Sequence, residues 1–368
     1  MGVITNSIKN LNPKLMVMHK SISFSGQEIF VGLDVHKKSW STTIIFNGLE
    51  HKTFSQPPSP EVLMKYLREH FPEGNYRCVY EAGFSGFWIQ RNLEMLGAKC
   101  MVVNPADVPT SDKDKKRKTD RVDSRKLARS LSNEDISGIF IPNRTQEEER
   151  NLVRGRHLIV KDITRQKNRI KQCLLRYGIS PPDGIENWNK QYMHWLNSIV
   201  LETSVGTMHF KLLLGQLEEL NNRLKLFNTQ MRMLAKQTDF KSKIKLLMSV
   251  PGIGLTSAMT LSTEIGDINR FISFDSLCSF VGLVPNTYSS GEKERVGRMT
   301  KRGNSYIRRI LIEAAWMAIK LDPSLSLAYK TYTTRMKGNR AIIRIARKLL
   351  SRIHHTMKTG EEYRLLTP

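Results

Sequence analysis

An α/β N-terminal domain, a long helical insertion and a mainly helical C-terminal part are what this 368-residue sequence predicts. Three observations carry that expectation. Short β-rich segments alternate with short amphipathic helices as far as Leu131. From Glu147 onward the pattern changes to long polar helices with one apolar seam. After residue 241, Gly- and Pro-bounded turns separate further helices. The expected divisions are a leader over 1–27, an α/β domain over 28–145, a coiled-coil region over 146–240 and a C-terminal part over 241–368.

The first strand is Ile29 to Leu33, apolar on both faces, with Asp34 set where it ends. A carboxylate there either starts a turn and pairs with Lys37 or Lys38, or belongs to a group of acids arriving at the same place. Trp40 to Phe46 is β-rich, Asn47-Gly48 is a two-residue hairpin signal, and Glu50 to Phe54 returns. Pro57, Pro58 and Pro60 end this meander, and Val62, Leu63, Tyr66 and Leu67 give a helix after its Pro start. Tyr76 to Tyr80 is a fourth strand ending in Glu81-Ala82-Gly83. A helix over Phe87 to Leu96 stops at Gly97, and Lys99 to Val103 is a fifth strand. The order β-β-β-α-β-α-β-α is the ribonuclease H-like plan. Between Ser111 and Lys126 charge dominates, and Asp120 and Asp123 fall on one face of a helix beginning near Thr119. They are either a helix-start charge pattern or cation ligands.

Leu152, Ile159, Ile163, Ile170 and Cys173 mark the seam of a helix from Glu147 to about Tyr177, and the segment through Pro181 to Trp195 turns it. Leu213, Leu217, Leu220, Leu224, Phe227, Met231 and Leu234 step by four and three on the return, as an antiparallel or intermolecular coiled coil does. Val250-Pro251-Gly252-Ile253-Gly254 between two helices suits a helix-hairpin-helix, in which Gly252 and Gly254 let a phosphate approach backbone N–H groups, or else a plain tight turn. Tyr288-Ser289-Ser290-Gly291 reads as a turn ahead of Arg298, Lys301 and a helix from Ser305 that carries Arg308. Its hydroxyls either bind phosphate or include a nucleophile whose charge the guanidinium groups stabilise. Arg340, Arg344, Arg347, Lys348 and Arg352 form a basic face on a last amphipathic helix.

The chain holds 58 Lys and Arg against 34 Asp and Glu, a formal net charge of +24. Such a field attracts polyanions, nucleic acid first and an anionic membrane surface second. No apolar run reaches the length of a membrane span and no signal-peptide core opens the chain, so a cytoplasmic protein is expected. Cys78, Cys100, Cys173 and Cys278 lie too far apart for a zinc site and read as core thiols. The histidines are scattered, so any metal is expected on oxygen ligands.

Asp34 and Glu81 end strands that neighbour each other in a ribonuclease H-like sheet, and Asp120 with Asp123 would join them from a helix. Four such carboxylates repel one another unless cations intervene. Two Mg²⁺ ions about 3.5–4 Å apart then serve phosphodiester transfer. The motifs Gly32-Leu33-Asp34-Val35-His36-Lys37, Tyr80-Glu81-Ala82-Gly83, Lys118-Thr119-Asp120-Arg121-Val122-Asp123, Val250-Pro251-Gly252-Ile253-Gly254, and Gly282-Leu283-Val284-Pro285 through Ser290-Gly291 to Thr300-Lys301-Arg302-Gly303-Asn304 and Arg308 stand in one order. In that order they resemble the DEDD insertion-sequence transposases, the bridge-RNA-guided serine recombinases of the IS110 family. The resemblance implies a RuvC-like N-terminal domain with Asp34, Glu81, Asp120 and Asp123 as metal ligands, a coiled-coil insertion, and a C-terminal transposase domain with a catalytic serine matching Ser290 rather than Ser289. It further implies Mg²⁺, donor and target DNA, a structured noncoding guide RNA, a dimer or tetramer, and a composite site across subunits in the prokaryotic cytosol, near the nucleoid. Lys37, Arg298, Lys301 and Arg308 are candidate phosphate contacts. Ser124 stands where many members have Ala. Two other readings fit the same residues: a Holliday-junction-resolving nuclease using metal-activated water, and a noncatalytic nucleic-acid-binding protein.

Overall fold

The computed structural model describes residues 23–109, 119–184, 188–290, 293–299 and 302–365, with side chains described except at 285–290 and 293–298. The chain forms two compact units, residues 1–141 and 142–368. The first is a mixed α/β unit and the second is mainly helical.

In the first unit, β1 (Glu28–Val35), β2 (Trp40–Phe46) and β3 (Leu49–Gln56) form an antiparallel meander. Asn47 and Gly48 both hold positive φ, at 48° and 74°, as the twist of a two-residue hairpin demands. β4 (Asn75–Glu81) pairs parallel to β1, and β5 (Lys99–Val103) parallel to β4, giving the order β3-β2-β1-β4-β5. Alternation along the central strands decides which face each residue serves. Ile29, Val31 and Leu33 of β1, with Cys78 and Tyr80 of β4, pack against α1 (Pro60–His70) and α2 (Trp88–Met95). Val79 and Phe30 face the other way, towards Leu127 and Leu131 of α3 (Asp120–Ser132). Each fully buried aliphatic side chain here contributes about 1.5–3 kcal/mol of transfer free energy. The Ser59 hydroxyl accepts the Val62 N–H to start α1, and the Thr119 hydroxyl accepts the same-placed N–H of Val122 to start α3.

The second unit opens with α4 (Arg144–Arg176), whose Asn143 and Gln146 form a capping box. It pairs with α6 (Ser204–Lys236) along the seam read from the sequence: Ile163, Ile170 and Cys173 are buried with Phe210, Leu214 and Leu217. The Arg156 guanidinium donates to Asn228 at 2.7 Å and the Gln166 amide to the Leu213 carbonyl at 2.8 Å, so rising numbers on one helix meet falling numbers on the other. The pairing is therefore antiparallel within one chain. Between them, α5 (Lys190–Ser198) occupies part of a segment expected only to turn, started by the Asn189 side chain accepting from the Tyr192 N–H.

α7 (Thr238–Met248), α8 (Leu255–Ile265), α9 (Phe274–Val281), α10 (Ser305–Leu321), α11 (Pro323–Thr333) and α12 (Gly338–Thr359) enclose the unit's main core, centred on Leu261, Leu277, Leu311, Ala315, Ile345 and Leu349. Where the sequence suggests a turn at Tyr288 to Gly291, the chain makes a two-stranded antiparallel hairpin of β6 (Pro285–Ser290) and β7 (Lys293–Met299). Without alternating apolar residues, nothing in this stretch announces strands in advance. All four cysteines are free and buried, as core thiols should be. No helix among the described residues is long and apolar enough to cross a membrane.

Candidate active site

In the first unit, parallel pairing aligns the ends of β1 and β4. Leu33 is opposite Tyr80, so Asp34 and Glu81 are the next residues along each strand. Asp120 and Asp123 occupy the first turn of α3, which packs against β1, β2 and β4. Two features fix that helix on the sheet. Gly32 leaves room for it: a Cβ there would stand 2.1 Å from the Ser124 carbonyl oxygen and 2.4 Å from the Ala128 nitrogen. The Ser124 side chain, fully buried, then shares hydrogen bonds with the hydroxyls of Ser41 (3.1 Å) and Thr43 (2.9 Å) on β2. At the helix's outer side, Arg125 pairs with Glu50 of β3 at 2.7 Å.

The result is a crowd of negative charge at the strand ends. Burial raises the Asp34 pKa above the usual carboxylate value, the Asp120 and Asp123 carboxylates push it further the same way, and only His36 opposes them. His36 lies in the short connection between β1 and β2, its N–H donating to the Ser39 carbonyl at 3.2 Å. Its Nε2 stands 3.3 Å from Asp34 Oδ2 and 3.5 Å from Asp120 Oδ1. One ligand atom from each of Asp34, His36 and Asp120 lies within 4.8 Å of the others. Of the four acids expected to hold metal, Asp34 and Asp120 stand in this group and their repelling oxygens suit a divalent cation, whereas Glu81 and Asp123 lie outside it. Lys37 is exposed in the same connection.

In the second unit, Ser290 is the last residue of β6, paired in register with Lys293 at the hairpin tip. Lys301 lies outside the described residues, as do the side chains of Ser290 and Arg298. The hairpin's base is held tightly. Gly282 and Gly303 have φ of 77° and 95°, and a Cβ on Gly303 would stand 2.6 Å from the Gly282 nitrogen. The Asn304 N–H donates to the Phe280 carbonyl at 2.7 Å, and Arg308 Nη1 donates to the carbonyls of Arg302 (2.9 Å) and Val281 (3.3 Å). Asn304 starts α10 by accepting from the N–H groups of Tyr306 and Ile307, and its amide donates to Glu264 Oε2 at 2.7 Å. Glu264, its side chain 1% exposed, receives the Arg154 fork at 2.6 and 2.7 Å. Arg154 also lies over the Tyr306 ring, 4.8 Å from its centre.

Several residues proposed for nucleic acid therefore have structural duties. Arg308 binds backbone at the hairpin base. Gly252, at φ 83°, lets α10 approach: a Cβ there would meet the Ala314 carbonyl at 2.4 Å, whereas Gly254 starts α8 in open space. On the basic face of α12, Arg347 pairs with Asp275 at 2.7 Å and Arg352 with the buried Asp322. His36, Ser124 and the Arg154–Glu264–Asn304 network are missed by sequence reasoning. His36 and Asn304 do stand within the quoted motifs, but neither motif says what they touch.

Carboxylates gathered where parallel strands end, in a chain with net charge +24, define a class: a protein that meets a polyanion at a cation-ready acidic site. A model of the transposase IS116/IS110/IS902 family matches residues 244–330, and a second transposase model, of the DEDD IS110 type, matches residues 31–179. The chain is 29% identical to a putative transposase, y4qE, of Sinorhizobium fredii over 79% of this chain and 72% of that protein. It is 27% identical to the transposase for insertion sequence element IS1533 of Leptospira borgpetersenii, over 89% and 95%. With the transposase for insertion sequence element IS1111A of Coxiella burnetii it shares 29% over 78% and 79%. The two models match separate parts of the chain, and both describe transposases, the first those of the IS116/IS110/IS902 family, to which the chain is therefore similar along much of its length.

Proposed function

We propose that this transposase excises and inserts its element by a serine-mediated exchange of DNA strands, with a ribonuclease H-like N-terminal domain and a structured noncoding RNA that pairs with donor and target. The observation that carries the reading is the convergence of Asp34, Asp120 and Asp123, with Glu81 on the adjoining strand end. Asp34, Glu81, Asp120 and Asp123 would hold Mg²⁺, two ions in all. Bound there, Mg²⁺ supplies Lewis-acid stabilisation of negative charge on the phosphate oxygens.

The chain's own residues do the rest. The Ser290 oxygen displaces one strand end from phosphorus, its hydroxyl proton passing through solvent to the departing strand's oxygen, which leaves a serine–phosphate ester and a free strand hydroxyl. The hydroxyl of the incoming end then displaces the serine, a proton returning to the serine oxygen in the same way, so one phosphodiester is made for each one broken. Lys37, Arg298 and Lys301 contribute positive charge along the strands. A dimer or tetramer would align two such exchanges.

The test is strand exchange on element-junction DNA with guide RNA, comparing the wild-type protein with Asp34→Ala, in Mg²⁺ and in EDTA. Exchange that needs both Mg²⁺ and Asp34 supports the reading. Undiminished exchange by Asp34→Ala would sink the carboxylate site, and binding without any strand breakage would leave a noncatalytic nucleic-acid-binding protein.

A further inference from the structure

The carboxylate site contains a group that an all-oxygen metal centre does not need, and its position is what a metal ligand's would be. His36 Nε2 is 3.3 Å from Asp34 Oδ2 and 3.5 Å from Asp120 Oδ1. An imidazolium paired with these carboxylates would place its N–H at the 2.7–2.9 Å of a charge-assisted hydrogen bond, and it has one Nε2 proton for two oxygens. At 3.3 Å the contact with Asp34 is a long hydrogen bond, and the same Nε2 proton cannot also serve Asp120 at 3.5 Å. Two ligands on a cation about 2.1 Å away stand about 3.0 Å apart at a right angle and about 3.4 Å apart at the tetrahedral angle. The observed separations are those of neighbouring corners of a coordination polyhedron.

The backbone holds the imidazole there. The chain leaves β1 at Val35, which pairs with Trp40, and the His36 N–H is tied across the connection to the Ser39 carbonyl. Asp120 arrives independently, on a helix fixed by Ser124 and Gly32. Two separately positioned elements thus bring one nitrogen and two oxygens together.

We propose that His36 is a ligand of the cation shared by Asp34 and Asp120, giving the site one nitrogen donor and a stronger preference for first-row transition cations over Mg²⁺ and Ca²⁺. Imidazole suits transition metals, whereas Mg²⁺ and Ca²⁺ take oxygen. The proposal rests on the metal-binding reading of the carboxylates and names the residue that sets which ion they hold. Mg²⁺ still binds through the oxygens, and Mn²⁺ binds with an added advantage.

The experiment uses the untagged full chain without nucleic acid and Mn²⁺ as the probe, read by pulsed electron paramagnetic resonance and by competition with Mg²⁺. Wild-type protein should show ¹⁴N coupling from one imidazole. His36→Ala should lose that coupling and about tenfold or more of its Mn²⁺ affinity, with Mg²⁺ affinity changed less. His36→Gln, which keeps a polar side chain of similar reach, should bind Mn²⁺ without the nitrogen signal and serves if the Ala variant melts early. Mn²⁺ bound by wild type with no ¹⁴N coupling, or coupling that survives in His36→Ala, overturns the His36 assignment and leaves the carboxylate site standing. No Mn²⁺ bound at all overturns both.

Discussion

Asp34 ionises against burial and against two neighbouring carboxylates, with His36 alone in its favour. A group placed so is a cost to the ion-free fold and an asset once a cation is bound. Asp34→Asn is expected to raise the melting temperature of ion-free protein by a few degrees while abolishing Mg²⁺-dependent exchange; calorimetry showing a fall would contradict the electrostatic account. Gly32 and Ser124 test the placement of α3 differently. A methyl on Gly32 meets backbone atoms at 2.1 and 2.4 Å, which cannot move without the helix. Gly32→Ala should therefore cost at or above the top of the usual overpacking range of about 1–3 kcal/mol. Ser124→Ala loses hydroxyl hydrogen bonds and should cost about 1 kcal/mol in a urea melt. At this scale the positions of the four acids are legible in the sequence, because each stands where a strand ends or a helix begins. His36 is not, because a single histidine in a short connection has no spacing that reports its partners. The part played by Ser124 is hidden for a similar reason: its partners, Ser41 and Thr43, lie 83 and 81 residues away.

Among the elements, the seam of α4 and α6 is readable because 3.6-residue periodicity records which face is buried. The clamp beneath the β6–β7 hairpin is not, since Arg154 and Glu264 are 110 residues apart and neither belongs to a repeating pattern. Removing Arg154 leaves the buried Glu264 carboxylate with the Asn304 amide and the field of Arg150 but without its paired guanidinium, and Arg154→Ala should destabilise the protein by about 3 kcal/mol. Chemical denaturation measures this, and a loss under about 1 kcal/mol would mean the pair acts like a surface one. The same α4 face brings His157 against Arg309 of α10. Burial, then Arg309, Lys161 and Arg156, lower the His157 pKa from 6.5 to about 4. The folded protein thus holds that proton less tightly than the unfolded chain. Its contribution is complete above about pH 6.5, and is lost as pH falls through the folded value of about 4. His157→Gln should flatten stability across that window, and an unchanged profile would place the acid sensitivity elsewhere.

For the whole molecule, a net charge of +24 and two matched transposase models are the grounds for expecting nucleic acid as the partner. The sequence motifs point to the family by standing in one order over most of the chain, although each is weak alone. Many of the glycines and arginines within them turn out to hold backbone together, as Gly252, Gly282, Gly303 and Arg308 do. A motif marks a residue the fold or the chemistry needs, without saying which. The central claim is that a serine of the second unit attacks DNA while carboxylates of the first hold metal. Its most direct test is to mix protein, guide RNA and end-labelled element-junction DNA with Mg²⁺, denature in detergent, and look for labelled protein. The account predicts a covalent protein–DNA adduct in wild type, mapped to Ser290 and absent from Ser290→Ala. An adduct that persists in Ser290→Ala, or metal-dependent cutting with no adduct at any time, would contradict it.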